Sequence, residues 1–320
     1  MIITGEGGIN AALCTAAVLR RYTDPVTQAT TLRRILWLGT AGVSPVVGGL
    51  APTSTRGGGP GCAPLSPSTT ARVALGSLCV TPAAIDLSCI TCTSAAEPAD
   101  ACRLPACRAS GLLNASGDGV SQCNEVLPSA AAALAARLQE FATSEWRPPT
   151  MPRELRAGVA VWWNASQLVA ASPDHRGDVA PTTPTVLTQC AEVDTRWVWI
   201  GADFDYLCRR RAAEYLSYLQ QRPDAVRASD VACISAMEGV GFLRAMRQHA
   251  AGRPPSALPP TAIVRGGSDY VYYPLTRSAD GAWRQEAAYA PTPTMQVAGF
   301  RYAIATTNAL ALAFLAAASD

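Results

Sequence analysis

Ala232-Cys233-Ile234-Ser235-Ala236-Met237-Glu238-Gly239-Val240 and, after a proline-rich interruption, Thr261-Ala262-Ile263-Val264-Arg265-Gly266-Gly267-Ser268-Asp269-Tyr270 are the stretches that decide the reading of this chain. The first opens as a short apolar run and continues past Met237 and Glu238 with Val240, Leu243 and Met246 at helical spacing. That pattern predicts a strand giving way to a helix, with the glutamate at the junction. The second predicts a short strand, Ala262 to Val264, followed by Arg265 to Asp269. Two carboxylates thus stand near the carboxyl ends of two strands, where open α/β sheets build their sites. A carboxylate beside glycines that let the backbone close around a ligand can take two sugar hydroxyls in bidentate fashion. A second one, partly desolvated, can hold or deliver a proton to a leaving group. The plainer alternative makes Asp269 a turn residue or helix N-cap and Glu238 a partner of a helix dipole.

The segment holding Met237 and Glu238, followed by the one holding Arg265, Ser268 and Asp269, resembles the Met-Glu and Arg-x-x-Ser-Asp motifs of the nucleoside phosphorylase and nucleosidase superfamily. Thr4 to Ala12 resembles that superfamily's glycine turn, and Leu38 to Pro45 its strand ending in Gly-x-Ala-Gly. The wording is most similar to the purine nucleoside permease-like branch; plant bark-storage proteins and methylthioadenosine nucleosidases are more distant. The pieces keep the family's order over almost the whole chain.

The resemblance implies an α/β protein with a three-layer α/β/α phosphorylase-like fold and a central mixed sheet. It implies cleavage of a purine nucleoside N-glycosidic bond by water or phosphate, through an oxocarbenium-like sugar. Glu238 would anchor the ribose hydroxyls, Asp269 would protonate the departing base, Ser268 would orient Asp269, and Met237 would pack beneath the sugar. Thr40, Ala41 and Gly42 would line the pocket through their backbone, and Trp199 or Phe204 would stack on the base. The plain reading of those aromatics is core packing, and that of Gly39 to Gly49 a structural turn. No cofactor is implied beyond phosphate as a co-substrate. The partner is a small nucleoside, and a homo-oligomer is expected. Members of the family carry an earlier strand before Met1, and Ser77 stands where they often have an aspartate. The chain is therefore expected to be amino-terminally incomplete or a divergent member. The missing strand favours the competing class, a storage, uptake or ligand-binding relative without turnover.

With 320 residues, about half of them hydrophobic, the chain suffices for one large domain. Its 26 basic and 24 acidic residues balance to +2, which argues against a nucleic-acid partner or a polybasic membrane surface. Two histidines and no zinc-type spacing exclude a structural metal from the expectation. No Gly-x-Ser-x-Gly elbow supports an α/β-hydrolase. Eleven cysteines are many for a reducing compartment. Cys79, Cys89, Cys92, Cys102 and Cys107, flanked by Cys62 and Cys123, predict disulfides holding an insertion at about residues 52–123 within a single domain. Cys233 or Cys14 is the expected free thiol. With the sequons at Asn114 and Asn164 this favours a secretory, vacuolar or extracellular protein, although Met1 begins no signal peptide.

Elsewhere the pattern predicts strands at Met1 to Thr4, Ile35 to Leu38, Gly158 to Trp163 and Thr185 to Gln189, and the resemblance implies one at Arg72 to Val80. It predicts helices over Ala11 to Arg21, Ser129 to Ala142, Arg209 to Leu219 and Tyr302 to Ala317, the last packed in the core rather than spanning a membrane. Pro52 to Thr70 reads as a flexible or tethered loop, and Gly281 to Met295 as a polar one.

Overall fold

The structure, a computed structural model, describes residues 7–48, 50–54, 60–64, 71–87, 90–92, 107–109, 124–127, 129–166, 180–195, 201–220, 225–277, 279 and 283–317. In chain order the elements begin with α1 (Gly8–Arg21), β1 (Ile35–Val43), β2 (Leu50–Ser54), β3 (Pro60–Pro64), β4 (Leu78–Thr81) and β5 (Ala83–Asp86). Then come β6 (Ile90–Cys92), β7 (Cys107–Ala109), β8 (Asn124–Val126), α2 (Ser129–Ser144), α3 (Arg153–Ala165), β9 (Val186–Leu187) and β10 (Glu192–Asp194). The chain closes with α4 (Ala202–Leu219), β11 (Ile234–Ala236), α5 (Gly239–Ala250), β12 (Thr261–Tyr270), β13 (Leu275–Arg277), β14 (Trp283–Gln285) and α6 (Pro293–Ala317).

Eight strands form one sheet in the order β8-β5-β10-β11-β1-β12-β4-β9. It is mixed: β1 runs parallel to β12 and antiparallel to β11, and β10 runs parallel to both β5 and β11. Its curvature follows from covalent geometry. Strands β4 and β5 are separated along the chain by Pro82 alone, yet five strand spacings part them in the sheet. Flat, that would be about 24 Å at ~4.8 Å per spacing. One residue reaches about 7 Å, so the sheet curls back on itself.

Helices cover both faces, the layered α/β arrangement expected. On one, Leu134 and Leu138 of α2 and Leu310 and Phe314 of α6 pack over Leu78, Val80, Ala262 and Val264. On the other, Leu19 of α1 and Val240, Phe242, Leu243 and Met246 of α5 pack over Ala84 and Ile263, with Trp37 stacked on Phe242 at 4.3 Å. α1 and α5 approach closely at Gly8 and Gly241: a Cβ at Gly241 would lie 2.0 Å from the Gly8 carbonyl oxygen. Burial of such faces, at about 25 cal/mol per Å² of apolar surface, is the main force holding the layers together. α6 is long and apolar enough to cross a membrane by length and composition, while 39 % of its most apolar window is buried against the rest of the chain.

Several expectations need correction. Gly158 to Trp163 is helical, within α3, because Leu155, Val159, Trp162 and Trp163 fall on one face and are buried together; beside it, Trp162 lies 4.7 Å from the ring of Tyr270. Gly39 to Val43 is no turn but the second half of β1, held between β11 and β12. Arg265 to Tyr270 likewise continues β12. The strand expected from Arg72 is shortened by a turn at Gly76, whose φ is +84°, and begins at Leu78. Ser77 is fully buried there, its hydroxyl accepting from the Thr185 amide at 3.1 Å. The segment read as a loop from Pro52 contributes a hairpin, β2 with β3. α4 begins at Ala202 and α6 at Pro293, both earlier than predicted. Cys79 is paired with Cys190, and Cys233 is not free but paired with Cys208; among the described residues Cys14 is the free thiol. Met1 to Thr4, Cys89, Cys102, Cys123 and Asn114 lie outside the described residues.

Candidate active site

The register explains how the two decisive stretches meet. Gly42 of β1 is paired on one side with Ser235 of β11 and on the other with Asp269 of β12. The segments leading to Glu238 and to Asp269 therefore flank the same glycine-bearing strand. β12 carries an irregularity here: Ala41 pairs with Gly267 and Gly42 with Asp269, so Ser268 is the extra residue of a bulge. Bulges bend a strand and re-aim the next side chain. A Cβ at Gly42 would lie 3.8 Å from Asp269 Oδ2 and 2.9 Å from Val271 Cγ1, so the glycine leaves room beside the carboxyl.

Ser268 is 2 % exposed, and its hydroxyl lies 2.6 Å from Asp269 Oδ1 and 3.2 Å from the Ala41 carbonyl. One hydroxyl proton serves one acceptor. With Asp269 ionised, Ser268 must choose between them. With Asp269 protonated, the acid donates to Ser268 Oγ, Ser268 donates to Ala41, and both bonds are made. Burial pushes the Asp269 carboxyl above the ordinary range, opposed by the Ser268 bond. The turn or N-cap alternative for Asp269 fails, since the residue lies within β12.

Glu238 occupies the N-cap position of α5 but makes no side-chain capping bond. Its carboxylate instead meets the Arg265 guanidinium at 3.2 Å and accepts the Gly7 amide at 3.3 Å and its neighbour Met237's amide at 3.4 Å. The contact from Gly7 brings the glycine-rich beginning of the chain to this acid. Arg265, 3 % exposed at its side chain, also pairs with Glu192 Oε1 at 2.6 Å. Burial works against its charge, and Glu192, Glu238 and Asp194 together more than reverse that, holding the guanidinium above its usual value. It reaches them by crossing Gly39, where a Cβ would stand 1.8 Å from Nη1. Gly39 and Gly42 are three residues apart in one continuous strand, so their missing side chains would leave from opposite faces, about 10 Å apart along β1. The Glu238–Arg265 pair and Asp269 therefore stand on opposite sides of β1, where the sequence predicts one shared cavity.

Of the other expected residues, Met237 lies half-buried between β11 and α5. Thr40, Ala41 and Gly42 are strand residues beside Asp269. Phe204 is 4 % exposed in the core, in the first turn of α4, while Trp199 lies outside the described residues. A cavity of about 490 Å³ lies along α3, lined by Arg153, Arg156, Ala157, Ala160, Ala180 and Thr182, and contains none of these residues.

Glu192 and Asp194 were not anticipated. They occupy alternate positions of β10 and accept the first two amides of α5: Gly239 at 3.0 Å and Val240 at 2.6 Å. The signal available was an acid-apolar-acid alternation, Glu192-Val193-Asp194, leading into Thr195.

No protein-family model matches the sequence, and no curated protein is significantly similar to it. Among solved structures the chain is similar to a 5'-methylthioadenosine/S-adenosylhomocysteine nucleosidase from Neisseria meningitidis, at 12 % identity and a TM-score of 0.35, over 96 % of this chain and 79 % of that one. The corresponding Helicobacter pylori nucleosidase gives 11 % identity and a TM-score of 0.38, over 96 % and 75 %. A futalosine hydrolase of Helicobacter pylori gives 11 % and 0.36, over 96 % and 75 %.

Proposed function

We propose that this chain cleaves the N-glycosidic bond of a purine nucleoside, with Asp269 as the acid that protonates the departing base. The observation that carries the reading is the Asp269–Ser268–Ala41 chain, whose two bonds are satisfied together only when the carboxyl bears a proton. A half-buried neutral acid beside a strand glycine can release the proton it shares with Ser268 to a ring nitrogen as the glycosidic bond breaks and the sugar gains oxocarbenium character. Water or phosphate then adds to the anomeric carbon. Ser268 is the positioning residue, taking over the hydrogen bond to Asp269 once the proton has left. Thr40 to Gly42 border the base.

A second reading has its own observation. Glu238 is engaged by Arg265 on the other side of β1 from Asp269, which favours a nucleoside-binding or storage relative without turnover. Incubation of the protein with inosine, adenosine and methylthioadenosine, with and without phosphate, separates the two. Release of free base supports cleavage, and binding without release supports the relative. Absence of both rejects each. Glu238→Gln lowers the rate only if the sugar reaches across β1 to that carboxylate.

A further inference from the structure

Beneath the Glu238–Arg265 pair lies a cluster whose charges do not balance. Glu192 is fully buried and Asp194 is 5 % exposed. Glu192 Oε1 is occupied by Arg265 and the Gly239 amide, and Asp194 Oδ2 by the Val240 amide. The remaining oxygens, Glu192 Oε2 and Asp194 Oδ1, are buried without a partner among the described residues. Three carboxylates, Glu192, Asp194 and Glu238, face one guanidinium and the partial positive charge at the start of α5. The next strand adds Asp86, paired in register with Asp194, with Arg244 of α5 4.0 Å from it. A buried carboxylate oxygen left empty is costly, and two on alternate residues of one strand face are doubly so.

We propose that Glu192 and Asp194 hold a single proton between them, Asp194 donating it to Glu192, and that this proton fixes Arg265 and the start of α5, so that both acids act as positioning residues for Glu238. One proton turns both empty oxygens into a hydrogen-bonded pair and removes one of the three negative charges. Burial, and after it the charge of Glu192, push the Asp194 carboxyl well above its usual range, against the opposing pull of Arg265 and the Val240 amide. Loss of the proton would oppose two buried anions across an unmade bond, loosening Arg265 and the α5 turn that carries Glu238. The inference does not depend on the reaction proposed above.

The direction of the pH dependence follows from linkage. A carboxyl raised in the folded state binds its proton more tightly there than in the unfolded chain. Its stabilisation is complete below the ordinary carboxylate value of 3.8 and is lost as pH rises toward the folded value. In that window the folding constant of the wild type falls about tenfold per pH unit more steeply than that of Asp194→Asn, whose amide donates to Glu192 at every pH. Infrared spectroscopy at pH 7 provides the direct test in Asp269→Asn, which lacks the other neutral carboxyl assigned above: a protonated-carboxyl band is present in Asp269→Asn and absent in the Asp194→Asn/Asp269→Asn double variant. Equal pH slopes in wild type and Asp194→Asn, or an identical band in Asp269→Asn and the double variant, overturn the proposal. Should Asp194→Asn fail to fold, a spectrum of Asp269→Asn without a protonated carboxyl overturns it as well.

Discussion

Replacement of Gly39 by alanine should destabilise this protein through a residue on another strand. The new Cβ would stand 1.8 Å from Arg265 Nη1 and 3.0 Å from Cζ. The end of an exposed arginine would swing aside at little cost, but here the side chain is 3 % exposed and tied to Glu192 at 2.6 Å and Glu238 at 3.2 Å. To admit the methyl group, Arg265 must leave its partners, and removing one member of a buried ion pair costs about 3–5 kcal/mol. Gly39→Ala should therefore cost about as much as Arg265→Ala. The two changes remove the same interaction, so the double variant should lie close to Arg265→Ala alone, a coupling of about 3 kcal/mol. Urea unfolding of the four proteins, read as midpoint shifts at constant slope, measures this. If Gly39→Ala costs under about 1 kcal/mol, or the same in both backgrounds, the role assigned to Arg265 is refuted.

Three further outcomes follow. His249 is 7 % exposed, with Arg253 Nη1 3.0 Å from Nδ1 and Thr23 Oγ1 3.1 Å from Nε2. Burial and then Arg253 lower its pKa, so its contribution is complete above the ordinary value of 6.5 and is lost as pH falls through the lowered one; thermal melts from pH 7 to 5 should show a drop that His249→Gln flattens. Replacing the Cys208–Cys233 pair, 25 residues apart, by serines should cost about 3–4 kcal/mol, and the Cys79–Cys190 pair, 111 apart, about 1 kcal/mol more, by denaturant titration. A reversed order would show that strain, not chain entropy, governs them. Gly241→Ala should push α1 from α5, seen as faster proteolysis after residues of α1.

The passage from β11 through α5 to β12 was legible because its apolar period changes from strand to helix and back within a short span. Glycines misled. Gly39 to Gly42 and Gly266 to Gly267 look like turns, yet they are strand residues whose lack of a Cβ admits Arg265 across β1 and Val43 against β12. Local propensity misled at Val159 to Trp163, where β-branched and aromatic residues suit a strand, but burial of Leu155, Val159 and Trp162 at helical intervals decides otherwise. Cysteines near one another in the chain suggested local disulfides. Among the described residues the pairs are instead Cys79 of β4 with Cys190 and Cys208 of α4 with Cys233 just before β11, which no spacing reveals, while the other clustered cysteines of the insertion are not among the described side chains. The opposite-side placement of Glu238 and Asp269 was likewise hidden, because it depends on one bulged residue, Ser268.

The proposed function stands on Asp269 being a half-buried neutral acid that gives its proton to a departing purine. The most direct measurement is release of free base from adenosine, inosine and methylthioadenosine by the wild type and by folded Asp269→Asn. The expected result is release by the wild type and a rate about a hundredfold lower in the variant. Equal rates, or no release by the wild type, would contradict it.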